Sequence, residues 1–226
     1  MNTLVTPVLE VIAMSVADAV AAEKGGAGRL EVVRALEAGG LTPPISLVQD
    51  IVAAVSIPVR VMLRENDGFE LADRDELTKL CDSARELASL AIDGVVLGFL
   101  RGRRLDLVTT QQILACCPGV KATFHRAFEE LDDQPAAIAR LKTVPQFDRI
   151  LLSPARVSGL KQVVESAAPE VIVIAGAGID RSNIRQWRES TPIREFHVGR
   201  AARLDGDIHR PVDAALVEEL AALVAS

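Results

Sequence analysis

Tyrosine is absent from this chain, and the aromatic residues together make up 3% of it. Little is therefore available to stack on nucleobases. Basic clusters are equally scarce. The densest, Arg101-Gly102-Arg103-Arg104, is short, and the formal net charge is -6. A phosphate backbone is bound by many clustered Lys and Arg, so no nucleic-acid partner is expected, and this run reads as a solvated loop.

Cysteine is rare as well: Cys81, Cys116 and Cys117. The number is odd, two are adjacent, and no spacing matches a metal-binding motif. These features exclude a disulfide framework and place the chain in a reducing cytoplasm. Met1-Asn2-Thr3 leads into ordinary sequence rather than the basic and apolar segments of a signal peptide. The longest apolar run, near Val171, is too short and glycine-interrupted to span a membrane.

What is present is a run of short β-rich segments, about one every 25 to 30 residues along the 226. Their spans are Val8–Ala13, Arg29–Val33, Val59–Leu63, Gly94–Leu97, Ala122–His125, Ile150–Ser153, Val171–Ala175 and Phe196–Val198. Several are almost continuously apolar, as strands covered on both faces must be. Helical periodicity fills the intervals. Leu47, Val48, Ile51, Val52 and Val55 form one stripe. Leu77, Leu80, Leu87 and Leu90 form a second, and Leu216, Val217, Leu220, Leu223 and Val224 a third. Ser15 caps the first helix, Asp132 or Asp133 the fifth ahead of Pro135, and Asp180 the seventh. No linker or change of composition divides residues 1–226. The expected fold is α/β: a single (β/α)8 TIM barrel with a closed parallel sheet. An open doubly wound sheet is the runner-up. It would call for fewer strands and a glycine-rich turn after the first, where this chain has Ala13-Met14-Ser15.

In such a barrel the chemistry sits at the C-terminal ends of the strands. Glu10 and Glu31 lie in the first two strands, flanked by aliphatics. A carboxylate in that setting must be paired, protonated or bound to a cation. Arg64 ends the third strand, His125-Arg126 the fifth and Ser153 the sixth, and His197 lies on the eighth. Glu10, Glu31, Arg64 and His125 are the candidate catalytic set, with His125 a general acid/base or a metal ligand. Glu10, Glu31 and His125 also offer N and O ligands to a divalent ion. His197 either completes the mouth or is a satisfied core imidazole; His209 reads as solvated tail. Arg126 points away from the mouth and braces a carboxylate such as Glu129, or reaches over the rim to an anion. A second feature is independent of these. Gly176 and Gly178 follow the seventh strand, and Gly199-Arg200 the eighth. Barrels bind phosphate between these two loops, so the four residues form a candidate anion site. The competing reading is that the glycines only make tight turns.

Several motifs, taken together, resemble the CutC family. They are Leu9-Glu10 with Ser15, and Arg29-Leu30-Glu31 followed by Gly39-Gly40-Leu41-Thr42-Pro43. Arg64, Thr123-Phe124-His125-Arg126-Ala127-Phe128, Ala175-Gly176-Ala177-Gly178 and Glu195-Phe196-His197 complete the set. The resemblance runs the length of the chain. It implies a TIM barrel, often a homo-oligomer, with a part in copper homeostasis and copper held by cysteine thiols near the barrel mouth. Where family members commonly carry those cysteines, this chain has Val11-Ile12-Ala13 and Val32-Val33. Met14 is the sulfur nearest these positions in sequence. The expected partner is thus a metal ion or a small anionic ligand. Two functions stand side by side: copper handling, as the resemblance implies, and catalysis on a small anionic or phosphorylated metabolite.

Overall fold

The computed structural model describes residues 6–226, so Met1-Asn2-Thr3 lies outside the described part. Eight parallel strands close into a barrel. They are β1 (Val8–Ala13), β2 (Arg29–Val32), β3 (Val59–Met62), β4 (Gly94–Leu97), β5 (Lys121–Phe124), β6 (Phe147–Leu152), β7 (Ile172–Ala175) and β8 (Glu195–Val198). Each pairs with its neighbour in sequence, and β8 closes against β1. The helices between them are α1 (Val16–Lys24), α2 (Ile45–Ala54), α3 (Arg74–Ala88), α4 (Leu107–Leu114), α5 (Gln134–Leu141), α6 (Leu160–Ala167), α7 (Ile184–Ser190) and α8 (Ala214–Ala225). The expected closed (β/α)8 barrel is the observed one.

Alternation along each strand divides its residues between two environments. Leu9, Val11, Leu30, Val32, Val61 and Leu63 belong to the large core that includes the buried faces of the helices. Their alternates line the barrel, and low in the barrel these are charged. Arg29 bonds Glu10 and, at 2.6 Å, Glu195. Arg149 holds Glu195 at 2.8 Å and also pairs with Asp148. Fully buried Arg60 bonds Asp148 at 2.7 Å, Asp93 at 2.8 Å and Thr123 at 2.7 Å. The charges are thus mutually satisfied, as burial demands. Above them Ile12, Val33, Met62 and Val96 form a small apolar layer.

Helix starts follow short polar side chains that accept the first free N–H groups. The Ser15 hydroxyl accepts from the Asp18 amide at 3.0 Å, and Asp133, not Asp132, accepts from Ala136 at 2.9 Å. We expect Ser15→Ala to lower stability by about 1 kcal/mol, read as a shift in the urea midpoint with an unchanged slope. Asp180 does not cap α7. Asn183 precedes that helix, while Asp180 accepts from the Ser182 amide at 2.8 Å and shapes the loop before it.

The strand edges also differ from expectation. Strand β6 begins at Phe147 rather than Ile150, and β8 at Glu195 rather than Phe196. The added residues Asp148, Arg149 and Glu195 are members of the charged network. The run Arg101-Gly102-Arg103-Arg104 forms the turn of a two-stranded ribbon, Leu100–Arg101 with Arg104–Leu105, rather than an irregular loop. Among the described residues no helix is long and apolar enough to cross a membrane.

Candidate functional site

The C-terminal ends of the strands surround an open cavity of about 1070 Å³. Glu31 and His197 reach it from below, Ile12, Val33, Met62 and Leu151 form its apolar wall, and His125 and Arg64 stand on one side. Arginines 126, 156, 181 and 200 are spread around its rim.

On its floor are Glu31 and His197, with Glu10 behind them, and ligand-type atoms of the three all lie within 4.8 Å of one another. His197 Nδ1 is 2.8 Å from Glu10 Oε1 and 3.4 Å from Glu31 Oε2. Register explains the meeting, since Glu10 pairs with His197 across β1 and β8. The two acids differ in kind. Burial works against charge on Glu10, but the Arg29 guanidinium and then His197 outweigh it and hold the carboxyl well below the usual range. Glu31 has no guanidinium bonded to it, and only His197 lies beside it. Its Oε2 is buried without a hydrogen bond, and burial pushes its pKa up to about 7. Burial likewise opposes charge on His197, yet Glu31 and Glu10 prevail and its pKa is raised. The floor is therefore a fixed Glu10–His197 pair beside a carboxyl group able to gain or lose a proton near neutrality.

His125 stands elsewhere in the mouth. It follows β5, and its Nδ1 accepts from the Ala127 amide at 3.3 Å, capping a short 3-10 turn. Its ring lies 5.2 Å from that of Phe69. Gly98 on the neighbouring chain segment makes room for it: a Cβ there would come within 2.8 Å of Nδ1. Burial, with help from Arg64, pushes its pKa down to about 3, so the ring is neutral. Its Nε2 is buried and has no partner.

Arg64 is held without a carboxylate among the described residues. It donates to the carbonyls of Gly68 at 3.1 Å, Gly39 at 3.4 Å and Asp67. Its guanidinium lies 4.9 Å from the Phe69 ring centroid. The Gly39-Gly40-Leu41-Thr42-Pro43 loop builds this cradle. Gly39 and Gly40 both take positive φ, 84° and 90°, which a side chain resists. Thr42 then locks the Arg64 backbone, its hydroxyl accepting from the Arg64 amide at 2.9 Å.

The predicted site residues therefore fall into two groups. Glu10 and Glu31 meet His197 on the floor, while His125 and Arg64 belong to the wall. Arg126 bonds Glu129 at 2.9 Å and lines the cavity as well. Of the candidate anion residues, Gly178, Gly199 and Arg200 line the cavity, whereas Gly176 does not. A Cβ on Gly176 would meet Leu151 at 2.7 Å, and one on Gly199 would meet Ile12 at 2.8 Å. These two glycines are explained by close packing. Gly178 is different: it has positive φ and open space beside it. Arg126 and Arg156 are tied to Glu129, and Arg181 lies 3.5 Å from Glu219. Arg200 makes no carboxylate pair among the described residues and contacts the Gly206 carbonyl at 3.4 Å.

Arg203 and Asp18 carried no motif in the sequence. Arg203 is fully buried and bonds Asp18 at 3.0 Å, tying the segment after β8 to α1. Its partner lies 185 residues away, so only the closed barrel reveals the pair.

Cu(I) prefers soft thiolate or thioether ligands. Among the described residues the cavity offers one thioether, Met62, and no cysteine. Cys81 lies on α3, and both Cys81 and Cys116 point their sulfurs at the Gln112 carbonyl outside the barrel. The mouth does not fit Cu(I). Its Glu10–Glu31–His197 group is an O and N donor set, of which Glu10 is already engaged by Arg29.

The CutC family profile matches residues 7–202. The copper homeostasis protein cutC homolog of Mus musculus is 34% identical over 221 residues, spanning 94% of this chain and 81% of the relative. A family protein CutC of Xanthomonas axonopodis is 33% identical over 210 residues, spanning 90% and 87%. The crystal structure of the putative copper homeostasis protein CutC from Streptococcus agalactiae superposes with a TM-score of 0.78 at 25% identity, covering 86% of this chain and 98% of that one. With its barrel, its mouth and these likenesses in agreement, this chain belongs to the CutC family.

Proposed function

We propose that this protein binds a small anionic molecule in the barrel mouth and moves a proton on it, with Glu31 as the acceptor. One observation carries the reading. Glu31 is a buried carboxylate whose Oε2 has no hydrogen-bond partner, at the floor of an open cavity rimmed by arginines. A buried acid oxygen without a hydrogen bond is costly, and such groups concentrate where proton transfer is needed. Arg64 and Arg200, which lack carboxylate partners among the described residues, supply the anion's counter-charge.

The test is thermal stabilisation by a set of small phosphates and dicarboxylates, inorganic phosphate first. A ligand present at a hundred times its Kd adds about 2.7 kcal/mol by mass action. Arg200→Gln should diminish the rise. Absence of any rise across the set would remove the reading.

A second reading is the handling of a divalent metal ion as cargo. It draws on the copper homeostasis name of the mouse relative and on the grouping of Glu10, Glu31 and His197. Carboxylate and imidazole donors suit a divalent first-row ion. Metal content of the protein purified without a metal-affinity tag separates the two readings. Stoichiometric metal that disappears in Glu31→Gln favours cargo; metal-free protein that still responds to anions favours proton transfer.

A further inference from the structure

Two buried polar atoms in the mouth lack partners, Glu31 Oε2 and His125 Nε2. Both residues line the same cavity, and their strands β2 and β5 are separated by β3 and β4 around the barrel. A ligand in the mouth therefore meets one from each side. What His125 presents follows from its other nitrogen. Nδ1 accepts from the Ala127 amide, so it carries no proton. A neutral imidazole has one N–H, which must then be on Nε2. His125 thus offers the cavity a hydrogen-bond donor. It is neither a free base nor a metal ligand, since one ring nitrogen is engaged by the Ala127 amide and the other is protonated.

Arg64 adds a second kind of donor on the same side, a buried guanidinium with no carboxylate partner among the described residues. Donors fixed in place before the reaction stabilise charge that develops on oxygen. Gly98 leaves the space the His125 ring occupies, and Phe69 packs against both donors, so neither is free to swing.

The geometry points to an oxyanion pocket formed by His125 Nε2–H and Arg64, facing Glu31, and hence to a substrate with a carbonyl group and a proton on the adjacent carbon. The step is an enolisation, and it rests on the reading of Glu31 as proton acceptor. Glu31 takes the proton from that carbon, and the C–H electron pair becomes the C=C bond. The carbonyl π pair moves onto oxygen, where His125 and Arg64 hold the negative charge. Return of the proton to the same or the neighbouring carbon completes an exchange or an isomerisation, with no oxidant or co-reactant. A neutral imidazole donor opposite a glutamate base is a known solution to this chemistry.

The experiment uses the full chain labelled with 15N-histidine and oxalate, a planar dianion resembling an enolate. We expect the His125 ring to stay neutral with its proton on Nε2 from pH 6 to 8, and saturating oxalate to move that proton's resonance. His125→Leu should weaken oxalate about 10- to 100-fold, the worth of one hydrogen bond to a charged group. His125→Gln, which keeps an N–H donor, should recover most of the loss. A proton on Nδ1, or oxalate binding indifferent to His125→Leu, overturns the pocket. If phosphate then still stabilises the protein through Arg200, the anion site stands and the oxyanion pocket alone has failed. If neither anion binds, both fall.

Discussion

Replacing Arg29 with Met should destabilise the protein by about 3–5 kcal/mol, the usual cost of stranding a buried charge. Arg29 is 3% exposed and bridges Glu10 and Glu195. Glu195 retains Arg149, with contacts at 2.8 and 3.0 Å. Glu10 retains only His197, at 2.8 Å. For a chain of this size the melting temperature should fall by roughly 10 °C. The pH dependence identifies the cause. In the wild type the Glu10 pKa lies below its unfolded value of 4.5, so its contribution is present above that pH and lost as pH falls below it. The variant lacks most of this contribution. The gap between the two proteins should therefore be widest at neutral pH and narrow in acid. Adding Glu10→Gln to Arg29→Met should recover much of the loss, because both charges are then gone. A gap of constant size from pH 7 down to pH 2.5, measured by urea denaturation, would assign the effect to packing instead.

Glu31→Gln should act in opposite directions on stability and function. The Glu31 pKa is raised from 4.5 to about 7, so its carboxyl is neutral in the folded chain where the unfolded chain has already ionised it. The stability this confers relative to the ionised form is complete below pH 4.5 and lost as pH rises through about 7. Glutamine mimics the neutral form at every pH. The variant should match the wild type at pH 4 and exceed it at pH 8 by roughly 1–3 kcal/mol. On the proposed reading of Glu31 as proton acceptor, turnover should fall by about 10²- to 10⁴-fold. A variant that is less stable at pH 8 would mean that the Glu31 charge is satisfied in the fold.

The architecture was legible because apolar runs and helical stripes alternate without interruption. Strand β4 was read with its observed limits, Gly94–Leu97. The errors cluster where strands carry charge. Asp148 and Arg149 look like loop residues until Arg60, 88 positions from Asp148 in sequence, is seen to bond Asp148. Glu10 and Glu31 were identifiable as acids in apolar surroundings. Their companion, His197, was open between a mouth residue and a core imidazole, because its link to Glu10 spans 187 positions and depends on closure of β8 on β1. The motif at Thr123-Phe124-His125-Arg126-Ala127-Phe128 did flag His125. Its role as a donor depends on which nitrogen the Ala127 amide occupies, a matter of turn geometry that residue types do not encode.

The charged network beneath the mouth has an arithmetic of its own. Arg29, Arg60 and Arg149, joined by His197 when it is protonated, supply positive charge, and Glu10, Asp93, Asp148 and Glu195 then supply an equal number of negative ones. With Glu31 protonated, this assembly is electrically even. Loss of that one proton leaves it odd by a single negative charge. Burial does most to set the appetite of Glu31 for a proton, and His197, Glu10, Arg29 and Arg60 of this network adjust it. The proton acceptor proposed above would thus be adjusted in part from beneath the mouth, by Arg29 and Arg60.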